Sequence, residues 1–187
     1  MKAVLLSIQP KWCELIAYSK KTVEVRKTKP KLKTPFKCYI YCTQGDSLNY
    51  LKTPFFSNCN KFWVDNKAFG ANVGRANGKV IGEFVCDIVL DFSLDPYGHN
   101  SYFISDDDFE STCFTLFEEF WNYGKGKTLY GWHISDLKLY DEPKALNEFY
   151  HTCKQPNGTD CSKCRDKVEQ TCWSFTKPPQ SWCYTEI

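Results

Sequence analysis

Apolar and polar positions alternate in blocks that predict strands separated by two longer helices and a short one. Residues 2–8 hold the run Ala3 to Leu6 and read as a strand. Pro10 then suits the first turn of a helix whose Trp12, Leu15, Ile16 and Ser19 fall at helical spacing. Thr22 to Arg26 alternates with period two, putting Val23 and Val25 on one face and Thr22, Glu24 and Arg26 on the other. Phe36 to Thr43 predicts another strand and Lys79 to Phe92 a long one, with Gly82 as a candidate bulge. Residues 44–78 form a long irregular excursion and 93–105 a loop. Ser105 to Asp108 starts a helix with acids at its positive end, and Phe109, Cys113, Leu116, Phe117 and Phe120 supply its apolar stripe until Gly124 and Gly126 end it. Thr128 to Tyr140 reads as extended, Pro143 opens a short helix, and a Cys-rich tail runs from about 151 to the end.

Composition narrows the class. In 187 residues, 42% are hydrophobic and 17% aromatic, enough for a sizeable core and for rings lining a site. The net charge of +2 excludes a globally polyanion-binding surface, so any such surface is local. The charge is partitioned. From Lys20 to Lys37 eight basic residues face Glu24 alone, whereas from Glu83 to Glu119 there are ten acids and no Lys or Arg. The basic run reads either as a solvated face or as a rim beside a phosphate or nucleic-acid site. No apolar run approaches the ~20 residues that span a bilayer, and the first residues lack the pattern of a secretory signal. With 11 Cys, an odd number, most are expected to be reduced thiols in a cytoplasmic protein, where the Asn157-Gly158-Thr159 sequon has no role.

The segment Ser19-Lys20-Lys21-Thr22-Val23-Glu24-Val25-Arg26 resembles the signature of the ASCH domain, a branch of the PUA-like superfamily, written G-x-K-x-x-E-x-R. Lys21, Glu24 and Arg26 match it, and Ser19 stands where Gly is usual. Leu6 to Trp12, Gly78 to Phe84, Tyr130 to Leu137 and the closing Pro178 to Tyr184 are also similar to ASCH proteins of bacteria and their phages. The resemblance implies an α+β fold, a PUA-like β-barrel with flanking helices. Residues 1–144 would form that domain, and 145–187 a Cys-rich extension packing back on it. It further implies a cleft lined by the signature and a ligand that is RNA or nucleotide-like, with no membrane partner. Some similar proteins are amidohydrolases acting on acetylated cytidine through a Lys, a Thr and a Glu; others are ribonucleases. Lys21 matches the Lys and Glu83 the Glu, but Glu24 occupies the Thr position, so Lys21, Glu24 and Glu83 are the candidate catalytic residues and little acetylcytidine hydrolysis is expected. A phage accessory protein that sequesters a nucleotide-like molecule is the remaining reading.

The candidate ligand-binding residues are Ser7, Trp12, Lys21, Glu24, Arg26 and Trp132. Arg offers a planar fork for phosphate or a base edge, and Lys a point charge. The same three charged residues would otherwise form an exposed ion-pair ladder worth little energy. Trp12 and Trp132 could stack bases, though Trp12 shares the stripe of Leu15 and Ile16 and either ring could face the core. His133 reads as a structural residue. The Gly70 to Lys79 stretch is one residue short of Walker spacing and precedes a strand instead of following one, so it is read as a hairpin loop. In the tail, Cys153, Cys161, Cys164 and Cys172 are spaced C-x7-C-x2-C-x7-C with His151 just upstream. Four thiolates suit a closed structural zinc site, and a metal would supply the folding energy that a tail with few aliphatics lacks.

Overall fold

The computed structural model describes residues 2–44, 77–93, 117–152, 164–166 and 171–186. The chain divides into two compact units, one of Met1–Cys13, Lys37–Glu83 and Lys138–Ile187, the other of Glu14–Phe36 and Phe84–Leu137. The described elements are β1 (Ala3–Ile8), α1 (Pro10–Ala17), β2 (Val23–Arg26), β3 (Phe36–Cys42), β4 (Lys79–Cys86), β5 (Val89–Phe92), α2 (Phe117–Gly124), β6 (Leu129–His133), β7 (Ser135–Ala145), a 3-10 turn (Leu146–Glu148), β8 (Tyr150–His151), β9 (Cys164–Asp166), β10 (Thr171–Cys172) and β11 (Trp182–Glu186). No helix among them is long and apolar enough to cross a membrane.

Six strands form one mixed sheet in the order β7-β4-β3-β1-β11-β8. Every residue of β1 is buried, which is why the segment reads as a continuous apolar run instead of an alternating one. β1 runs parallel to β3, Val4 opposite Cys38, and antiparallel to β11, Ala3 opposite Thr185. The one polar side chain of β1, Ser7, donates from Oγ to the Pro179 carbonyl at 2.6 Å and is satisfied there. In the first unit Ala3, Leu5, Tyr39, Tyr41, Val80, Phe149 and Phe175 make one core cluster. Residues beyond 145 therefore supply core side chains as well as β8 and β11.

In the second unit β2, β6 and β5 form a three-stranded antiparallel sheet. One face carries Val23, Leu129 and Phe92, which pack with Phe120 of α2. The Phe92 and Phe120 rings meet edge to face with centroids 5.5 Å apart. Gly131, in the middle of β6, has no room for a side chain, since a Cβ there would lie 2.6 Å from the Phe92 ring.

Three expectations change. The strand expected over 79–92 is two, because the chain leaves the large sheet at Asp87 and Ile88 and enters the small one as β5. The short helix expected from Pro143 is the end of β7, where an edge position tolerates a residue with no N–H to donate. The helix is only a 3-10 turn, Leu146–Glu148. Among the described residues the sheets are open: the large one ends at β7 and at the two-residue β8, so the α+β class holds without barrel closure. At Gly82 the chains approach closely: a Cβ there would lie 2.5 Å from the Lys138 carbonyl oxygen. Residues 45–76 of the excursion expected over 44–78, and the start of the helix expected from Ser105, lie outside the described residues.

Candidate functional site

The end of α1 determines where the signature begins. Ser19 takes φ 56°, the left-handed conformation that closes many helices. Lys20 N donates to Leu15 O at 2.8 Å and Ser19 N to Ile16 O at 2.8 Å, the paired bonds of a Schellman cap. Glycine adopts this φ at little cost; Ser19 adopts it as a non-glycine residue. Lys21 N also reaches Leu15 O at 3.1 Å, so the cap delivers Lys21 directly to the start of β2.

Lys21, Glu24 and Arg26 are then buried together, at 4%, 5% and 6% exposure. Arg26 Nη2 lies 2.9 Å from Glu24 Oε1, and Lys21 Nζ lies 3.5 Å from Glu24 Oε2. Lys21 Nζ also donates to the Val23 carbonyl at 2.6 Å. This is no exposed ladder. Glu24 is the shared anion between two cations, and its Oε2 accepts no hydrogen bond. The Lys21 ammonium, 3.5 Å away, offsets part of the cost of burying that oxygen without a hydrogen bond. Glu14, on α1, is a fourth buried ionisable side chain of the same unit, at 4% exposure. Glu14 was not singled out from sequence, where it sits beside the apolar stripe of α1 with no motif of its own.

Tyr123, on α2, lies within electrostatic reach of Arg26 and Glu24. Burial raises its phenol, and the charges of Arg26 and Glu24 act on it in opposite senses. Trp132, the candidate stacking ring, sits opposite Glu24 in the β2–β6 register but is wholly buried, and its ring packs edge to face with Phe36 at 5.6 Å. A ring with no exposed surface has no face to give a base, so in this structure Trp132 is a core side chain. Trp12, in the first unit, is half-buried, with Lys11 Nζ 4.1 Å from its ring centroid. Ser7 is held by Pro179 as described.

Glu83 belongs to the first unit. Lys37 Nζ lies 3.0 Å from its Oε1, and the Tyr140 hydroxyl donates to its Oε2 at 2.7 Å. Burial alone would raise this carboxyl, but the bonds from Tyr140 and Lys37 outweigh it and hold Glu83 below the ordinary value of 4.5. Tyr140 is pushed far up by burial and by its bond to Glu83, so it remains the donor. A lowered carboxyl contributes stability that is full above pH 4.5 and is lost as the pH falls through the folded value. The unfolding free energy of wild type should therefore fall on acidification below pH 4.5 more steeply than that of Glu83→Gln. Urea titrations at stepped acidic pH check this; parallel curves for the two proteins would contradict it.

His133 Nδ1 meets Asp87 Oδ1 at 2.6 Å, at the point where the chain passes between sheets. That bond holds the Asp87 carboxyl below its ordinary 3.8 against the opposing effect of burial. Of the candidate metal ligands, Cys164 and Cys172 are directly opposed in the β9–β10 register, while Cys153 and Cys161 lie outside the described residues. Among the described residues no group of three or more metal-ligating side chains converges. Cys13, Cys38, Cys42, Cys86 and Cys183 are in no disulfide, and burial pushes Cys86 and Cys183 up to about 12, far from nucleophilic thiolates at neutral pH.

The fold is that of solved ASCH structures. The likeness is to solved structures of the ASCH protein from Zymomonas mobilis. One crystal structure aligns with a TM-score of 0.53 at 15% identity, covering 97% of this chain and 86% of that one. A Tyr-to-Phe variant of the same protein aligns at 0.54 and 14%, covering 98% and 90%, and a Ser-to-Ala variant at 0.54 and 14%, covering 97% and 87%. No protein-family model and no curated protein matches the chain. Identity this low carries the fold and not the chemistry.

Proposed function

We propose that the chain is an ASCH-family module that binds RNA or a nucleotide at the group formed by Lys21, Glu24 and Arg26. The observation that supports this most is the burial of that group around Glu24, whose Oε2 is in no hydrogen bond and has Lys21 Nζ 3.5 Å away. A buried group of Lys21, Glu24 and Arg26 stabilises a fold poorly compared with apolar side chains of the same volume. They suit recognition, where a ligand donor completes Glu24 and the Arg26 guanidinium reads a phosphate or base edge. The amidohydrolase reading has less support. Glu24 takes the place of the hydroxyl that such enzymes use, and the Glu83 carboxylate is already engaged by Lys37 and Tyr140.

The test is calorimetric titration with the four ribonucleoside monophosphates. Binding by wild type and a loss of tenfold or so in Arg26→Lys is the expected result, because Lys keeps the charge and loses the planar fork. Equal affinities for the two proteins would contradict the proposal. Arg26→Lys is the informative variant, since Arg26→Ala in a buried ion pair would confound binding with stability.

The same reading gives the C-terminal extension a structural zinc held by Cys153, Cys161, Cys164 and Cys172, a closed clip with no part in the chemistry of Lys21. The direct opposition of Cys164 and Cys172 across β9 and β10 supports it. Metal analysis of protein purified under reducing conditions should find about one zinc per chain, lost in Cys164→Ser; zinc-free, fully folded wild type would contradict it.

A further inference from the structure

We infer that Cys164 and Cys172 are a redox-modification site, a dithiol that peroxide converts to a cross-strand disulfide.

The two residues are partners in the antiparallel β9–β10 pair. The register shifts between Thr171 and Cys172, as at a β-bulge, and Cys172 still takes Cys164 as its partner. Directly opposed residues of an antiparallel pair have Cα atoms about 4.5–5.5 Å apart. A disulfide joins Cα atoms about 4.4–6.8 Å apart, so this backbone already holds the two residues within the span of the bond. Cys38 and Cys183 show the contrast. Cys38 stands opposite Val4 and Cys183 opposite Leu5, with β1 between their strands. Neighbouring strands lie about 4.7–4.9 Å apart, so two spacings put that pair beyond the limit of about 7 Å. Cys13, Cys42 and Cys86 are enclosed, and buried thiols of that kind are unreactive.

A neck sets the pair off from the core of the first unit. His151 N donates to Trp173 O at 3.1 Å, Tyr150 bridges to Ser174, and Phe175 N donates to Phe149 O at 2.9 Å. Phe149 and Phe175 belong to the buried cluster of that unit. Both cysteines fall between His151 and Trp173 in sequence, outside the neck, so the S–S bond can form and break while the core keeps its packing. Attack of one thiolate on hydrogen peroxide gives a sulfenic acid and hydroxide, and the second thiol then forms the S–S bond with loss of water. In sum, two thiols and one peroxide give one disulfide and two waters: the sulfurs lose the two electrons that cleave the O–O bond. The disulfide also withdraws two of the four thiolates proposed to hold zinc. Loss of that ion on oxidation rests on the zinc reading; the disulfide does not.

The experiment treats the reduced full chain with hydrogen peroxide, alkylates the remaining thiols with iodoacetamide and maps the tryptic peptides by mass spectrometry. Trypsin cuts after Lys154, Lys163 and Arg165, so Cys153, Cys161, Cys164 and Cys172 fall on four peptides. The expected result is a link between the Cys164 and Cys172 peptides that dithiothreitol reverses, in protein whose thermal melt shows it folded. The Cys172 peptide also carries Cys183, so Cys172→Ser is the control, and the link should vanish in it. A main product linking Cys164 to Cys161, sulfinic or sulfonic acid without a link, thiols that all remain alkylatable, or a link that survives Cys172→Ser overturns the inference. A chromogenic chelator reads zinc in the same samples. Zinc released in step with the link supports both readings. A link in protein that never held zinc removes the zinc reading alone, and zinc-loaded protein that forms no link removes the disulfide alone.

Discussion

Glu24→Ala should destabilise the protein by about 3–5 kcal/mol, the usual consequence of removing one partner from a buried ion pair. The reason is specific to this arrangement. Glu24 is the anion shared by Arg26, 2.9 Å away, and by Lys21, 3.5 Å away, and all three are nearly enclosed. Without its carboxylate the two cations remain buried 4–6% exposed and adjacent. Neither can regain water without opening β2, whose other side is packed through Val23 against Phe92, Phe120 and Leu129. Glu24→Gln, which keeps the shape and loses the charge, should recover part of the packing and little of the electrostatics. Urea unfolding read by Trp fluorescence measures both. A loss below about 1 kcal/mol in Glu24→Ala would place the group in solvent, where ion pairs contribute that little.

Trp132→Ala should cost about 3–5 kcal/mol as well, the range for a large aromatic removed from a core. The ring has no exposed surface and packs edge to face with Phe36. Trp132→Phe should keep most of the stability, and ligand affinity should not change in it if the ring only fills space. A folded Trp132→Phe protein whose nucleotide affinity collapses would return Trp132 to the ligand.

The local features of the fold were legible because they depend on neighbours in sequence. Ala3–Ile8, Phe36–Cys42 and the helix begun at Pro10 follow from short-range pattern, and the ASCH signature marked Lys21, Glu24 and Arg26 before any coordinates. Sheet membership was not legible. Lys79 to Phe92 has one continuous strand character, and only pairing with distant segments splits it at Asp87 between two sheets. Pro143 carried a helix-start signal that an edge strand overrides. Within the site, Trp132 looked like a stacking ring because a Trp in a family-like segment has the same letter in a core as in a cleft. Tyr123 went unnoticed because its relation to Glu24 and Arg26 is made by the packing of α2, nearly a hundred residues along the chain. Glu14 was missed for the same reason: a lone acid on a helix shows its burial only once the tertiary structure is known.

The central claim is that a nucleotide completes the buried group of Lys21, Glu24 and Arg26. The most direct measurement is a crystal structure of the protein grown with whichever ribonucleoside monophosphate binds in titration. The account predicts a ligand donor within hydrogen-bonding distance of Glu24 Oε2 and a phosphate or base edge on Arg26. A nucleotide bound elsewhere, with Glu24 and Arg26 untouched and their ion pair unchanged, would contradict it.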